Sequence, residues 1–269
     1  MDPINAHEGW FVSHLFFEVD RLLWDSLSEE ERSERKETFL QRFESFRRRE
    51  NCQINAYSVW GLKADLGLIL IDPDLRHLNR AEYELAVSLG PGVLRRVDSF
   101  VSLSEISEYM SQGKDYDRTL REKEGLDPAS SLYQQKMTDF QSRMRVYINE
   151  RLYPHLPEHR VVCFYPMNKQ RGDKENWYLL DFDARKEFMA GHAITGRKFQ
   201  ETVRQLVTGS IGLDDWEWGV TLFGDDPYFF KKLLYEMRYD EASARFAEFG
   251  LFYIGLRFEP EALFDQLMM

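Results

Sequence analysis

One histidine in this chain is placed where its chemistry would be useful. Of six histidines, His192 lies in an apolar segment of helical periodicity, close to Phe188, Met189, Ile194 and Phe199. A neutral imidazole in apolar surroundings can serve as the single axial ligand of an iron porphyrin. The same pattern is typical of a core histidine whose ring is simply hydrogen-bonded, so the residues alone leave both interpretations open.

A second group lies on one predicted strand, 161–169. Tyr165, Met167 and Lys169 alternate along it, so their side chains point to the same face. A phenol, a thioether and an ammonium together are typical of the wall of an apolar ligand pocket with polar ends. The alternative is an edge strand whose lysine extends to solvent.

A third group combines indoles with guanidinium groups. Tryptophans suit stacking against a large flat ligand, although they are commoner in cores. Arginines suit carboxylates through paired hydrogen bonds, although surface ion pairs use the same chemistry. The group comprises Trp177, Trp216, Trp218, Arg151, Arg238 and Arg245.

Other catalytic motifs are missing from the sequence. It has neither a standard glycine-rich phosphate loop nor a Gly-x-Ser-x-Gly nucleophile motif. His155 and His159 have the spacing of an inverted zinc-peptidase motif. Pro154 and Pro157 disfavour the helix that this motif requires, so a zinc peptidase is not supported.

The elements that would position these residues can be read from hydrophobic periodicity. The first hundred residues predict strands at 10–19, 54–61, 64–71 and 97–106 and helices at 28–49 and 75–88. The order β-α-β-β-α-β is the ferredoxin-like pattern. A polar segment at 109–156, helical around 133–151, predicts a long connection.

The pattern then restarts. It predicts a strand at 161–167, a helix at 183–207 interrupted near Gly191 and Gly196, a strand at 216–223, a helix at 227–237 and strands at 243–249 and 251–258. We therefore predict an α+β protein with two ferredoxin-like halves and antiparallel sheets. The N-terminal half is 1–110, the helical connection is 111–158 and the C-terminal half, which carries the ligand site, is 159–269.

Charge and composition restrict the partners. The net charge of −11 argues against nucleic acid, although a local cluster of Arg and Lys can still bind an anionic small ligand. The two cysteines, Cys52 and Cys163, favour a reducing compartment. The N-terminus has no signal-peptide pattern and no segment is long enough to span a membrane, so we expect a cytoplasmic protein.

Five segments together resemble one family. They are 163–169 (Cys-Phe-Tyr-Pro-Met-Asn-Lys), 176–178, 191–197, 209–223 and 235–245. The combination is similar to the coproheme decarboxylases of haem synthesis, within the chlorite dismutase superfamily. The resemblance extends over residues 151–255, and before that point only the order of elements agrees.

The resemblance implies a dimeric α/β barrel type of fold with the haem site in the C-terminal half, and a homopentamer. It implies iron coproporphyrin III as substrate and redox cofactor, hydrogen peroxide as oxidant and haem b as product, through a radical on Tyr165. A contact with ferrochelatase would fit such a role. His192 corresponds to the axial iron ligand. The implied binding residues are Arg151, Tyr165, Pro166, Met167, Asn168, Lys169, Trp177, Gln205, Trp216, Arg238 and Ser243.

Gln205 separates the branches of this superfamily. It corresponds to the position opposite His192 across the iron, where chlorite-splitting members carry an arginine and another decarboxylase branch carries a histidine. A glutamine offers only neutral hydrogen bonds, which favours the decarboxylase of the glutamine type. A haem carrier or sensor without chemistry is the alternative from another class.

Overall fold

The structure, a computed structural model, describes residues 2–269. Within this range nine strands form one antiparallel sheet, and eight of them close into a barrel through the pairing of β5 with β7. The strands are β1 (Phe11–Val19), β2 (Gln53–Trp60), β3 (Leu66–Asp72), β4 (Leu94–Ser104), β5 (Val161–Lys169), β6 (Arg204–Gly209), β7 (Trp218–Gly224), β8 (Ala247–Phe249) and β9 (Tyr253–Phe258).

The barrel consists of two equivalent halves. The strand order is β4-β1-β3-β2 in the N-terminal half and β9-β5-β7-β6 in the C-terminal half, which is the ferredoxin-like order in both. Pairing of β2 with β9 and of β4 with β6 joins the halves. The prediction of an α+β protein with two ferredoxin-like halves is thereby confirmed.

Helices cover the outside of the barrel. They are α1 (Arg21–Asp25), α2 (Glu29–Arg47), α3 (Leu75–Ser88), α4 (Gly113–Arg118), α5 (Ser131–Leu152), α6 (Phe182–Arg197), α7 (Pro227–Met237), α8 (Glu241–Phe246) and α9 (Pro260–Gln266). Ser28 and Glu31 form a capping box that starts α2, and Pro227 opens α7, where its missing N–H leaves no helical bond unmade. None of the helices within residues 2–269 combines the length and apolar composition that a membrane span requires.

Side chains alternate between the barrel interior and the helix-covered surface. On β1, Val12 and Phe16 point inward, whereas Phe11 and Phe17 pack beneath the N-terminal helices. Inside the barrel, Phe16 stacks on Tyr253 with ring centroids 3.8 Å apart. Both faces of the strands are therefore apolar, as expected for a sheet that is covered on both sides.

Two predicted elements were wrong, and the last helix was not predicted. The helix expected over 183–207 runs unbroken through Gly191 and ends at Arg197, and residues 204–209 form β6 instead. The strand expected at 243–249 is mostly helix α8, because Asp240 caps residues 241–246 through the Ala242 N–H (3.1 Å). Helix α9 was not predicted, and it packs Leu263 and Phe264 into the core of the N-terminal half.

One buried histidine lies inside the barrel. His14 stacks on Phe164 (4.1 Å between centroids), and its Nε2 lies 2.9 Å from Thr221 Oγ1. Complete burial disfavours the imidazolium and lowers the pKa of His14 to about 3. Below about pH 6.5 the unfolded chain therefore takes up a proton that the native state does not, and stability falls as the pH falls towards 3.

We expect His14→Phe to remove this dependence. Between pH 6 and 4 the free energy of unfolding of the variant should depend on pH less steeply than that of the unchanged protein, by about 1.4 kcal/mol per pH unit for one proton. Urea unfolding at several pH values measures this slope. His7→Gln, at an exposed position, is the control. An identical slope in the His14 variant would contradict the assignment.

Candidate functional site

The outer face of the C-terminal half gathers the predicted side chains. Because Phe164 and Thr221 point into the barrel, their neighbours Tyr165 and Val220 point outward, towards the helices. The same alternation places Met167 and Lys169 on the outer face of β5 and Gln205 on that of β6. The strand prediction at 161–167 is confirmed, with two further residues.

Helix α6 lies over this face but is not packed into it. None of its sixteen residues is buried, whereas α7, on the same face, buries Phe230, Leu233 and Met237. His192 is on α6 with its side chain partly exposed, and Gln205 is exposed on β6. A helix of this length normally packs an apolar stripe against its sheet, so the unburied α6 leaves its own side chains available to a ligand.

His192 is oriented by a carboxylate that the sequence analysis did not identify. Its Nδ1 lies 2.8 Å from Asp240 Oδ2, which accepts the Nδ1 proton, so Nε2 keeps a free lone pair for a metal. Ser243 Oγ donates to the same oxygen at 2.5 Å. Burial favours the neutral acid, but the hydrogen bonds from His192 and Ser243 prevail and lower the pKa of Asp240. Ser243, expected at a propionate, thus lies beside the histidine.

Tyr165 is a sheltered phenol. Only 6% of it is exposed, and its ring stacks on Phe252 with centroids 4.5 Å apart. Burial raises the pKa of Tyr165. The phenol therefore stays protonated over the physiological range, and its oxidation must release a proton together with the electron.

Lys169 is a buried ammonium without an ion-pair partner among residues 2–269. It is 8% exposed, and its Nζ lies 4.4 Å from the centre of the Trp177 ring. The carboxylates that influence it are bound elsewhere, Glu217 to Arg171 and Asp240 to His192. Burial lowers the pKa of Lys169 to about 8, and both carboxylates oppose that shift. Such a group is suited to receive an anion.

Two further arginines were predicted to bind the ligand. Arg151, at the end of α5, has a buried Nε that finds no hydrogen-bond partner within residues 2–269, and it lies near the Glu105 carboxyl. Burial raises the pKa of Glu105, and the hydrogen bond with Trp218 and the charge of Arg151 offset only part of that increase. Arg238 is exposed, and its guanidinium lies over the Phe249 ring at 4.4 Å. An orphaned donor at Arg151 is the kind of group that a ligand carboxylate would satisfy.

The remaining predicted residues have mainly supporting contacts. Asn168 Oδ1 accepts the Glu217 N–H at 2.8 Å, and Glu217 Oε2 accepts the Lys169 N–H at 2.8 Å. These two hydrogen bonds connect the end of β5 to the turn before β7. Trp216 packs at the end of the barrel interior rather than on the outer face, and Pro166 lies against Gly250. Their assignment to ligand binding stays a prediction.

Asp240 and Glu217 were missed for different reasons. Asp240 caps the short helix α8. That local role explains its place in the sequence and gave no indication of its contact with His192. Glu217 stands between two tryptophans, with no local sign that its carboxylate, 7% exposed, reaches the end of β5. Only the tertiary structure brings either residue to the site.

The closed barrel and its two ferredoxin-like halves define a class of two-half α/β barrel proteins. The sequence profile of the chlorite dismutase family matches residues 30–258. The chain belongs to the chlorite dismutase family.

Relatives come from several organisms. A Natronomonas pharaonis protein, whose name provisionally assigns heme binding, is 39% identical over 264 residues. The match covers 97% of this chain and 41% of that protein, so this chain spans about two fifths of the relative's length. A solved Thermus thermophilus structure, described as a novel heme-binding protein, is 38% identical with a TM-score of 0.80 and covers 100% of this chain and 99% of that one.

A more distant likeness shows the fold alone. A variant of chlorite dismutase from Candidatus Nitrospira defluvii is 15% identical, with a TM-score of 0.73 over 98% of this chain and 97% of that one. At this identity the similarity carries no information about substrate.

We expect Asp240→Asn to weaken the binding of ferric porphyrin by roughly 10–100-fold. An uncharged partner at Nδ1 lowers the basicity of the His192 ring, so that its Nε2 binds iron less tightly. Asparagine keeps the shape and the helix cap. Titration followed by Soret absorbance measures the affinity. Glu236→Gln, which removes an exposed ion pair with Lys198 (3.4 Å), is the matched control. Equal affinity in the Asp240 variant would contradict the role of Asp240.

Proposed function

We propose that this protein is a hydrogen peroxide-dependent coproheme decarboxylase. It converts two propionates of iron coproporphyrin III to vinyl groups and so forms haem b. For each group the balance is R–CH2–CH2–COO⁻ + H2O2 + H⁺ → R–CH=CH2 + CO2 + 2 H2O. The propionate loses two electrons and one proton, and peroxide accepts two electrons as its O–O bond breaks.

The observation that carries the proposal is the arrangement of Tyr165 and Lys169 on one strand face opposite the helix of His192. A protected phenol, a buried ammonium and an imidazole with a free Nε2 are what this chemistry requires. The heme-binding descriptions of relatives 38–39% identical support a porphyrin as the ligand. Gln205, instead of a cationic side chain, supports decarboxylation over chlorite splitting.

The residues of the site fit an iron porphyrin. A bound iron porphyrin would supply the redox chemistry through which peroxide acts as the oxidant. His192 would ligate it through Nε2, and Asp240 would hold the ring in place. Arg151, with its orphaned Nε, and Lys169 would hold propionates as anions through charge-assisted hydrogen bonds, each contributing about 1.5–3 kcal/mol.

Tyr165 would carry the bond-breaking step. Its phenol gives up an electron and its proton, and the resulting phenoxyl takes a hydrogen atom from the β-carbon of the nearest propionate. The substrate then loses CO2 and a second electron, and a vinyl group remains. Positioning would contribute most of the acceleration, because the mechanism requires the phenol to lie close to one particular C–H bond. Loss of two carboxylates also removes the charge that holds the product, which favours release.

The family resemblance extends the proposal to the assembly. It supports a homopentamer in the cytoplasm and a contact with ferrochelatase. Mass measurement of the protein in solution by light scattering tests the number of subunits. A stable monomer would contradict that part while leaving the chemistry of the site untouched.

We expect Tyr165→Phe to bind coproheme with near-normal affinity and to release no CO2 on addition of peroxide, because phenylalanine packs equally well but cannot form a phenoxyl. Mass spectrometry of the pigment before and after peroxide measures both steps. Tyr57→Phe, at a buried tyrosine inside the barrel, is the control. Normal conversion by the Tyr165 variant would refute the radical role.

A haem carrier is the second candidate, favoured by the heme-binding descriptions of the relatives. A carrier would keep the pigment mass unchanged after peroxide in the unmodified protein. Chlorite dismutation would instead evolve oxygen from added chlorite, which Gln205 leads us not to expect.

We expect the affinity for iron-free coproporphyrin III to fall as the pH rises above about 8. In the free protein Lys169 loses its proton near pH 8, because burial lowers its pKa to about 8. A bound carboxylate stabilises the protonated ammonium, so above about pH 8 binding of the porphyrin must be accompanied by uptake of a proton. Fluorescence titration measures the dependence. Lys169→Met should abolish it, and Lys174→Met, at an exposed lysine, should not. A pH-independent affinity in the unmodified protein would contradict the contact.

A further inference from the structure

Three metal-ligating side chains meet in the N-terminal half, on the part of the barrel that the proposed haem chemistry does not use. Cys52 immediately precedes β2, Asp72 ends β3, and His77 lies in the first turn of α3. One possible ligand atom from each lies within 4.8 Å of the others. The residues come from three elements and approach one another only through the fold.

The carboxylate of this cluster is oriented for a ligand role. Asp72 is fully buried, and its Oδ1 accepts the Asp74 N–H at 2.8 Å. Its Oδ2 is left facing the Nδ1 of His77, which it contacts directly. The His77 ring is in turn fixed by parallel stacking on Phe46, with centroids 5.2 Å apart. Backbone and aromatic contacts of this kind hold metal ligands in place.

The donor set selects the metal. One sulfur, one nitrogen and one carboxylate oxygen are the ligand types of Zn²⁺, which binds them at about 2.0–2.3 Å in tetrahedral geometry. That geometry separates the ligand atoms by about 3.3–3.8 Å. In the free protein His77 Nδ1 and Asp72 Oδ2 contact each other directly, so binding of an ion would replace that contact and move the two atoms apart. A thiolate and a carboxylate neutralise the charge of a divalent ion, which suits a site with two buried ligands. His77 is partly exposed and gives access to solvent.

We propose that Cys52, Asp72 and His77 bind one zinc ion, with a water molecule as the fourth ligand. The ion would tie the start of β2, the end of β3 and the start of α3 together. Binding would displace the thiol proton to solvent while the S–Zn bond forms, with no change of oxidation state. This proposal is independent of the porphyrin chemistry of the C-terminal half.

Cobalt titration of the haem-free protein tests the proposal. We expect one equivalent of Co²⁺ to produce thiolate-to-cobalt charge-transfer absorption and the visible bands of four-coordinate cobalt, and zinc to displace it. Cys52→Ser should abolish the charge-transfer band, and His77→Gln should weaken the binding of cobalt by roughly 10–100-fold. Cys163→Ser is the matched control, since that thiol is also buried but belongs to no such cluster in residues 2–269.

A second measurement avoids the risk that a variant fails to fold. In the unmodified protein, zinc should slow the alkylation of Cys52 and leave that of Cys163 unchanged, as read by peptide mass spectrometry. The proposal is overturned if no charge-transfer band forms, if the band survives Cys52→Ser, if His77→Gln binds as tightly as the unchanged chain, or if zinc leaves the alkylation of Cys52 unaffected.

Discussion

The antiparallel register of β5 is the constraint on which the site depends. Val161–Lys169 pairs with β7 along most of its length, with Tyr165 opposite Val220. This register turns Tyr165, Met167 and Lys169 outward and Phe164 inward. A slip by one residue would exchange the two sets, placing an ammonium and a phenol in the barrel and a phenylalanine towards the helices. The apolar interior on one side and the stacked Phe252 on the other oppose such a slip.

The two halves differ in how their first long helix packs. Each half places a helix after its first strand, α2 in the first and α6 in the second. Helix α2 buries Phe39, Phe43 and Phe46 against its sheet, so that half is filled by the protein itself. Helix α6 has alanines and glycines near His192 and buries no residue. The same architecture thus buries the first helix of one half and leaves the equivalent helix of the other half unburied, where the porphyrin is proposed to bind.

Periodicity and helix-start chemistry predicted much of the fold. The bounds predicted for α3 and α7 agree with the structure to the residue, and in the structure an aspartate caps the start of each helix. β6 was missed because 204–209 continues an apolar pattern that fits either element, and barrel closure decided it. Helix α9 depends on a core far away in sequence. Within the site, alternation predicted the face of Tyr165, whereas the bond between His192 and Asp240 spans 48 residues and has no local signature.

Pro166 has a structural consequence for the phenol next to it. β5 pairs with β9 up to Phe164 and with β8 from Met167 onward, and the proline stands at the change of partner. Its carbonyl accepts the Gly250 N–H at 2.8 Å, but on that edge the proline has no amide proton to offer in return. The neighbouring chain is thereby released from the ladder between β8 and β9, and Phe252 can turn onto the Tyr165 ring. An absent donor in the backbone thus accompanies the aromatic shelter around the Tyr165 phenol.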